Sequence, residues 1–247
     1  SADWTLPEPA ADTYGDKLIN DAKDFSDTAM VVIGRLGGEG LDLPTDMQAK
    51  DVTYHDNSKS YKDFPNGTHY LELSQSEKNM IDLVTKNFKK IVLVYNGANA
   101  FELNFVKDYP QIKSVLWAPH PGQAGFEALG EVLTGKTDPS GKTSDTFLTD
   151  LTKNPTWNNF GNFEYDNVKE FEVNSARGVR FPHFVNYNEG IYVGYRYYET
   201  ASDEGLIDYD STVQYPFGYG LSYTSFDQKM GDVKYDAKSG KISFDVT

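Results

Sequence analysis

One segment of the chain combines residue types that could do chemistry with a spacing that would let them: Gly34-Arg35-Leu36-Gly37-Gly38-Glu39-Gly40-Leu41-Asp42. A carboxyl group serves as a general acid or base when it is held within hydrogen-bond reach of a reacting bond. The glycines at 37, 38 and 40 permit backbone conformations and close approach that would project one acid, Glu39, into a cleft. The segment directly follows Ala29 to Ile33, a continuous apolar run that reads as a buried strand. In an open α/β sheet, ligands bind outside the carboxyl ends of strands, so the glycine-rich segment is placed where a ligand would lie. A phosphate-binding loop is the first rival. Such a loop leads straight into a helix whose amides meet the anion, whereas this one leads into Leu43-Pro44, and a carboxylate at Glu39 would repel a phosphate. A flexible loop carrying a solvated glutamate is the plain alternative, and the residues alone leave it open.

Other chemistries find less support. The chain has no G-x-S-x-G elbow, no H-E-x-x-H pair and no Walker motif, and His55, His69, His120 and His183 are scattered without ligand spacing. Cysteine is absent, which removes thiolate metal sites, disulfides and cysteine nucleophiles. No metal and no cofactor is therefore expected. A formal net charge of −14 without a run of Lys or Arg would repel a phosphate backbone or an anionic lipid surface, so neither nucleic acid nor a membrane is an expected partner. Aromatic residues make up 14% of the chain, which suits stacking against sugar faces but equally suits a large packed core.

The elements that must position Glu39 can be read from periodicity. Leu18, Ala22 and Phe25 recur at helical spacing before the first strand. Ser74 and Glu77 have the spacing of a capping box, and Ile81, Val84 and Phe88 follow on one face, which predicts a helix over about 75–87. Ile91 to Tyr95 and Ile112 to Trp117 read as two further buried strands, with a short helix around Phe101 to Val106 that stops before Pro110. A helix opens at Pro121-Gly122, with Phe126, Leu129 and Leu133 as its stripe and Gly135 as a left-handed cap. From Thr149 to about Val185 no clean period survives, so that segment is expected to wrap a surface. The tyrosine-rich run Tyr187 to Tyr198 is expected to pack across the α/β layer. Ile242, Phe244 and Val246 alternate with polar residues after a turn-like Asp236 to Gly240, predicting a half-buried hairpin that opens a β-sandwich. A lone hairpin is marginal in water, so truncation or cleavage is expected there. The expected fold is α/β: an α/β/α sandwich with a mostly parallel five- or six-stranded sheet, plus the initial strands of a β-sandwich. Residues 1–26 would form a linker and first helix, 27–226 the sandwich with its wrapping segment, and 227–247 the truncated β-sandwich.

Several segments taken together resemble the second domain of glycoside hydrolase family 3. They are Gly38-Glu39-Gly40 after a strand, Leu71-Glu72-Leu73-Ser74 before a helix, Pro121-Gly122-Gln123-Ala124-Gly125, Asp138-Pro139-Ser140-Gly141-Lys142, Glu189 to Arg196, and Pro216 to Thr224. Two positions depart from the pattern: Leu43 follows Asp42 where arginine is common, and Gly141 to Thr146 lacks the usual Leu-Pro. In that family the α/β sandwich accompanies a TIM-like barrel, and a fibronectin-type sandwich often comes next. The resemblance implies that Glu39 is the acid/base of a retaining exo-β-glycosidase of β-glucosidase type, acting on terminal β-linked sugars. It also implies that the nucleophilic aspartate sits in a barrel outside this chain, in the same polypeptide or a second one. A retaining glycosidase needs two carboxyl groups roughly 5 Å apart, so this chain alone would be incomplete. Arg35 and Asp42 are candidate substrate contacts; Arg35 could equally sit in a surface ion pair. The alternative function is a non-catalytic carbohydrate-binding or interaction domain of the same fold.

Overall fold

The computed structural model describes residues 8–37, 43–49, 52, 63–159, 163–176 and 178–247. In chain order the principal elements are α1 (Asp16–Phe25), β1 (Thr28–Gly34), α2 (Gln75–Asn87), β2 (Lys90–Asn96), β3 (Ile112–Trp117), α3 (Gly125–Leu133) and β4 (Phe147–Leu148). There follow β5 (Phe163–Glu164), β6 (Val173–Ser175), β7 (Gly178–Arg180), β8 (His183–Phe184), α4 (Tyr195–Asp203), α5 (Tyr209–Thr212), β9 (Val213–Tyr215), β10 (Lys234–Asp236) and β11 (Lys241–Ser243).

The heart of the fold is a parallel sheet in the order β1-β2-β3, in which Val31 pairs with Leu93 and Leu93 with Val115. Parallel neighbours need a crossover, and α2 supplies it between β1 and β2. Side chains alternate across a strand, so Val31, Ile33, Ile91, Leu93 and Tyr95 share one face and pack with Met80, Ile81, Phe88, Phe101 and Phe147 in the main core. The mixed α/β architecture and its parallel sheet are as expected, but the sheet is narrower: three strands among the described residues, where five or six were expected. After β3 no apolar run is long enough to extend it. Phe147-Leu148 instead pairs antiparallel with β9 as a separate ribbon. On the other face Met30 and Val32 stay more than half exposed.

Local signals located α1 and α2 well, whereas α3 begins at Gly125, beyond the expected opening at Pro121-Gly122. α2 starts at the capping box, where Glu77 N donates to Ser74 Oγ at 3.2 Å and Ser74 N donates to Glu77 Oε2 at 2.8 Å. Two otherwise orphaned donors are satisfied reciprocally. Ser74→Ala should therefore lower the unfolding free energy by about 1 kcal/mol, read from the urea midpoint at constant slope; an unchanged midpoint would mean that the cap is idle. Gly135, at φ 72°, follows the C-cap of α3 as expected. The short helix before Pro110 is displaced, forming a 3-10 turn over Asn104–Asp108.

The tyrosine-rich run divides. Tyr198 and Ala201 on α4 are buried, and Tyr198 joins Leu148, Leu151 and Val213 in a second core, while Tyr187, Tyr192 and Tyr195 are exposed. The C-terminal hairpin forms as β10 against β11, with Asp236 accepting from Lys238 N and Ser239 Oγ in the turn. It is not half-buried: Ile242, Phe244 and Val246 are all at least half exposed, because no second sheet lies over them among the described residues. Among the described residues no helix is long and apolar enough to cross a membrane.

Candidate active site

The glycine-rich segment leaves the sheet at the carboxyl end of β1, as expected. Glu39 and Asp42 lie outside the described residues, so what can be built from the structure is the stem on either side of them. Arg35 N donates to Asn96 O at 2.9 Å, carrying the parallel pairing one residue past the strand. Leu36 N donates to the Tyr70 hydroxyl at 3.1 Å. A side chain at Gly37 would bring its Cβ within 2.8 Å of Asn99 Oδ1, so glycine there lets the segment run close to the loop after β2.

Arg35 is 6% exposed, and its guanidinium is committed inward. Nε donates to Tyr70 O at 2.6 Å, Nη1 to Gly34 O at 2.8 Å and Nη2 to Glu72 O at 2.7 Å. The same two terminal nitrogens grip Glu77 bidentately, at 2.5 Å to Oε1 and 2.6 Å to Oε2. The guanidinium carbon also lies 5.0 Å from the Phe101 ring centroid and 5.3 Å from that of Tyr70, within cation–π range. Planar, bidentate, ring-flanked burial is what arginine does better than lysine. The ion pair is thus internal, not at the surface. Glu77 serves two ends at once, because Oε2 also accepts Ser74 N in the capping box. The strand end that launches the glycine-rich segment is tied through Arg35 and Glu77 to the first turn of α2.

Around this brace lies a hollow of about 490 Å³, bordered by Arg35, Tyr70, Asn96, His120, Phe126 and Glu8. That volume falls in the range of small-ligand sites. Two bordering residues were missed in the sequence. Glu8 precedes every periodic element; its half-buried carboxyl is pushed above the ordinary glutamate range by burial, against the opposing effect of the Tyr14 hydroxyl donating at 2.6 Å, with the charges of Glu77 and Asp63 adding to the rise. His120 follows β3 at φ 34°, a left-handed backbone that is unusual for a non-glycine residue. Its one legible signal was its place just beyond a strand's carboxyl end, in Ala118-Pro119-His120-Pro121-Gly122.

His69, Glu72 and Glu102 bring metal-capable atoms within 4.8 Å of one another. Their hydrogen bonding argues for a structural knot. Leu71 N donates to His69 Nδ1 at 3.1 Å, which makes Nδ1 the acceptor and leaves the proton of the neutral ring on Nε2, 3.0 Å from Glu102 Oε1. That carboxylate oxygen also accepts Leu151 N, and Glu72 Oε2 accepts His69 N. The knot ties the loop before α2 to the wrapping segment.

The comparisons with known proteins agree with this architecture. The profile of the glycosyl hydrolase family 3 C-terminal domain matches residues 13–195. Beta-glucosidase A of Butyrivibrio fibrisolvens is 36% identical over 90% of this chain, and a beta-glucosidase of Ruminococcus albus is 31% identical over 91%. Among solved structures, a beta-glucosidase from Paenibacillus barengoltzii superposes with a TM-score of 0.65 at 28% identity, covering 95% of this chain and 20% of that one. Beta-glucosidase 3B from Thermotoga neapolitana, in complex with glucose, gives 0.61 at 29% identity, covering 90% and 25%. The chain spans 24% of the Butyrivibrio protein and 18% of the Ruminococcus protein. With the family profile spanning most of the chain and relatives above 30% identity over nine tenths of it, the chain belongs to the family of glycosyl hydrolase family 3 C-terminal domains.

Proposed function

We propose that this chain supplies the acid/base half of a retaining exo-β-glycosidase, with Glu39 as the proton donor to the leaving oxygen and later the base that activates water. The observation that carries the reading is the braced exit of β1: the segment holding Glu39 starts at the carboxyl end of a central-layer strand, beside a hollow of small-ligand size. The beta-glucosidase names of the relatives support glucosides as the leading substrate class. The nucleophilic aspartate belongs to a TIM-like barrel, in the same polypeptide or in a second chain, and residues 227–247 open a fibronectin-type β-sandwich. Arg35 acts as the brace of the acid's loop rather than as a sugar ligand, since its guanidinium is already spent on Glu77 and the carbonyls of Gly34, Tyr70 and Glu72. Asp42 is retained as a substrate contact.

In the double displacement one carboxyl attacks the anomeric carbon while the other protonates the departing oxygen, and the second then deprotonates water to release the sugar. Glu39 must arrive protonated. A sheltered position or a facing nucleophile carboxylate would raise its pKa to that end. Because one carboxyl cannot play both parts, the chain alone is expected to show no turnover of a nitrophenyl β-glucoside, whereas the polypeptide or complex that adds the barrel should hydrolyse it. Turnover by rigorously purified chain would refute the divided site; binding without turnover by the complete assembly would favour a non-catalytic carbohydrate-binding domain.

A further inference from the structure

The dipeptide Asn-Gly occurs twice in the chain, at Asn66-Gly67 and at Asn96-Gly97, and the fold treats the two copies in opposite ways. Asn66 and Gly67 are exposed at the centre of a turn, Pro65 to Thr68, that Thr68 N closes by donating to Pro65 O at 3.3 Å. Thr68 Oγ1 donates to the same carbonyl at 2.7 Å. Gly67, third in the turn, has φ 78°, a backbone that glycine adopts without strain. Among the described residues the Asn66 side chain and Gly67 N have no hydrogen-bond partner. The side-chain amide carbon and the main-chain nitrogen that follows it are free to meet.

Asn96-Gly97 is held. Asn96 ends β2 in register with Gly34, its O accepts Arg35 N at 2.9 Å, and its Nδ2 donates to Ala118 O at 2.8 Å. Gly97 is buried, and its O accepts Trp117 Nε1 at 2.7 Å. The side-chain amide that would have to swing toward Gly97 N is tied to the loop after β3.

We propose that Asn66 is a site of spontaneous covalent modification, deamidation through a cyclic imide, and that the fold protects Asn96 from the same reaction. Gly67 N, having lost its proton to hydroxide or a buffer base, attacks Asn66 Cγ. The new N–C bond closes a succinimide ring, and the Cγ–Nδ2 bond breaks, with Nδ2 taking up a proton and leaving as ammonia. Water then opens the ring. Attack at Cγ yields aspartate; attack at the main-chain carbonyl carbon of residue 66 yields isoaspartate, in which the backbone runs through the former side chain. The net change is an amide and water converted to a carboxylate and ammonia, with no oxidation or reduction. Glycine favours closure because no Cβ crowds the attacking nitrogen. The product adds a negative charge to a chain already at −14. As isoaspartate it also adds a methylene to the backbone of a turn whose flanks, Phe64 and His69-Tyr70, are buried. The inference does not depend on the reading of Glu39.

The test uses the polypeptide or complex that carries this chain, incubated folded in mildly alkaline buffer, beside the same material unfolded in guanidinium chloride. Trypsin places the two sites on peptides 63–78 and 91–107, and mass spectrometry with fragmentation reads the exchange of NH2 for OH at each asparagine. In the folded protein conversion at Asn66 should outrun that at Asn96 by at least about tenfold, the scale set by the bonds that must open before Asn96 can react. Unfolding should remove the difference, and Asn66→Gln should leave peptide 63–78 unmodified. An Asn66 amide that survives in the folded protein while the unfolded chain converts, or equal rates at the two sites in the folded protein, would overturn the proposal. A difference that persists in guanidinium chloride would assign the contrast to the flanking sequence and overturn protection by the fold.

Discussion

Replacing Glu77 by alanine is expected to lower the unfolding free energy by about 3–5 kcal/mol, the cost of removing one member of a buried ion pair. Three losses coincide in this one substitution. The guanidinium of Arg35, 6% exposed, loses both oxygens of its bidentate partner. Ser74 N loses the acceptor that completes the capping box. The end of β1 loses its tie to α2. Ser74→Ala removes only the half of the cap in which Ser74 Oγ accepts Glu77 N and leaves the Arg35 pair intact, so it sets the scale of a cap loss against which the larger loss in Glu77→Ala is read. Urea unfolding at constant slope reads both. A loss below about 1 kcal/mol for Glu77→Ala would show the pair to be as weak as a solvent-exposed one. Glu77→Gln should fall between the two, because an amide oxygen can still accept Ser74 N but carries no charge to set against Arg35.

The part of this arrangement that was legible in advance is the part governed by short-range rules. Ser74 and Glu77 are three residues apart, and a capping box is complete within that distance, so α2 was placed at its observed bounds. β1 and β2 were legible because buried parallel strands are continuous apolar runs. The partner of Glu77 was not. Arg35 lies 42 residues away, and no periodicity links a residue after β1 to the first turn of α2; only the fold brings them together. Tyr70 escaped notice for the same reason, since its bonds to Arg35 and Leu36 depend on a loop whose course has no period. The strand count of five or six was not legible from local patterns: three apolar runs account for the three parallel strands among the described residues, and Phe147-Leu148 pairs with β9 in a separate ribbon. The hairpin was correctly located from its alternation, yet alternation says which residues share a face and not whether anything covers that face. Within the site, the glycine-rich exit from β1 was visible in the residue types, whereas Glu8 and His120 reach the same hollow from segments that carry no motif.

The proposed function turns on one carboxyl: Glu39, on the segment that follows the Arg35–Glu77 pair at the end of β1, is proposed to supply a proton to a departing oxygen. Glu39→Gln removes the proton and keeps the shape. Acid assistance is typically worth about 10²–10⁴-fold, and it matters most when the leaving group is a poor one, because an activated phenolate departs with little protonation. Hydrolysis of an alkyl β-glucoside should therefore fall by about that factor relative to a dinitrophenyl β-glucoside. With the activated substrate the glycosyl-enzyme should accumulate for want of a base, and added azide should rescue turnover by attacking it directly. A glutamate on a solvated loop behaves otherwise, changing the rate by less than about tenfold, or about 1.4 kcal/mol, with no preference between leaving groups. The decisive measurement is the ratio of the two rates in Glu39→Gln, in the polypeptide or complex that includes the barrel, with and without azide. A large leaving-group split with azide rescue is the predicted result; a small, uniform change with no rescue would remove Glu39 from the mechanism.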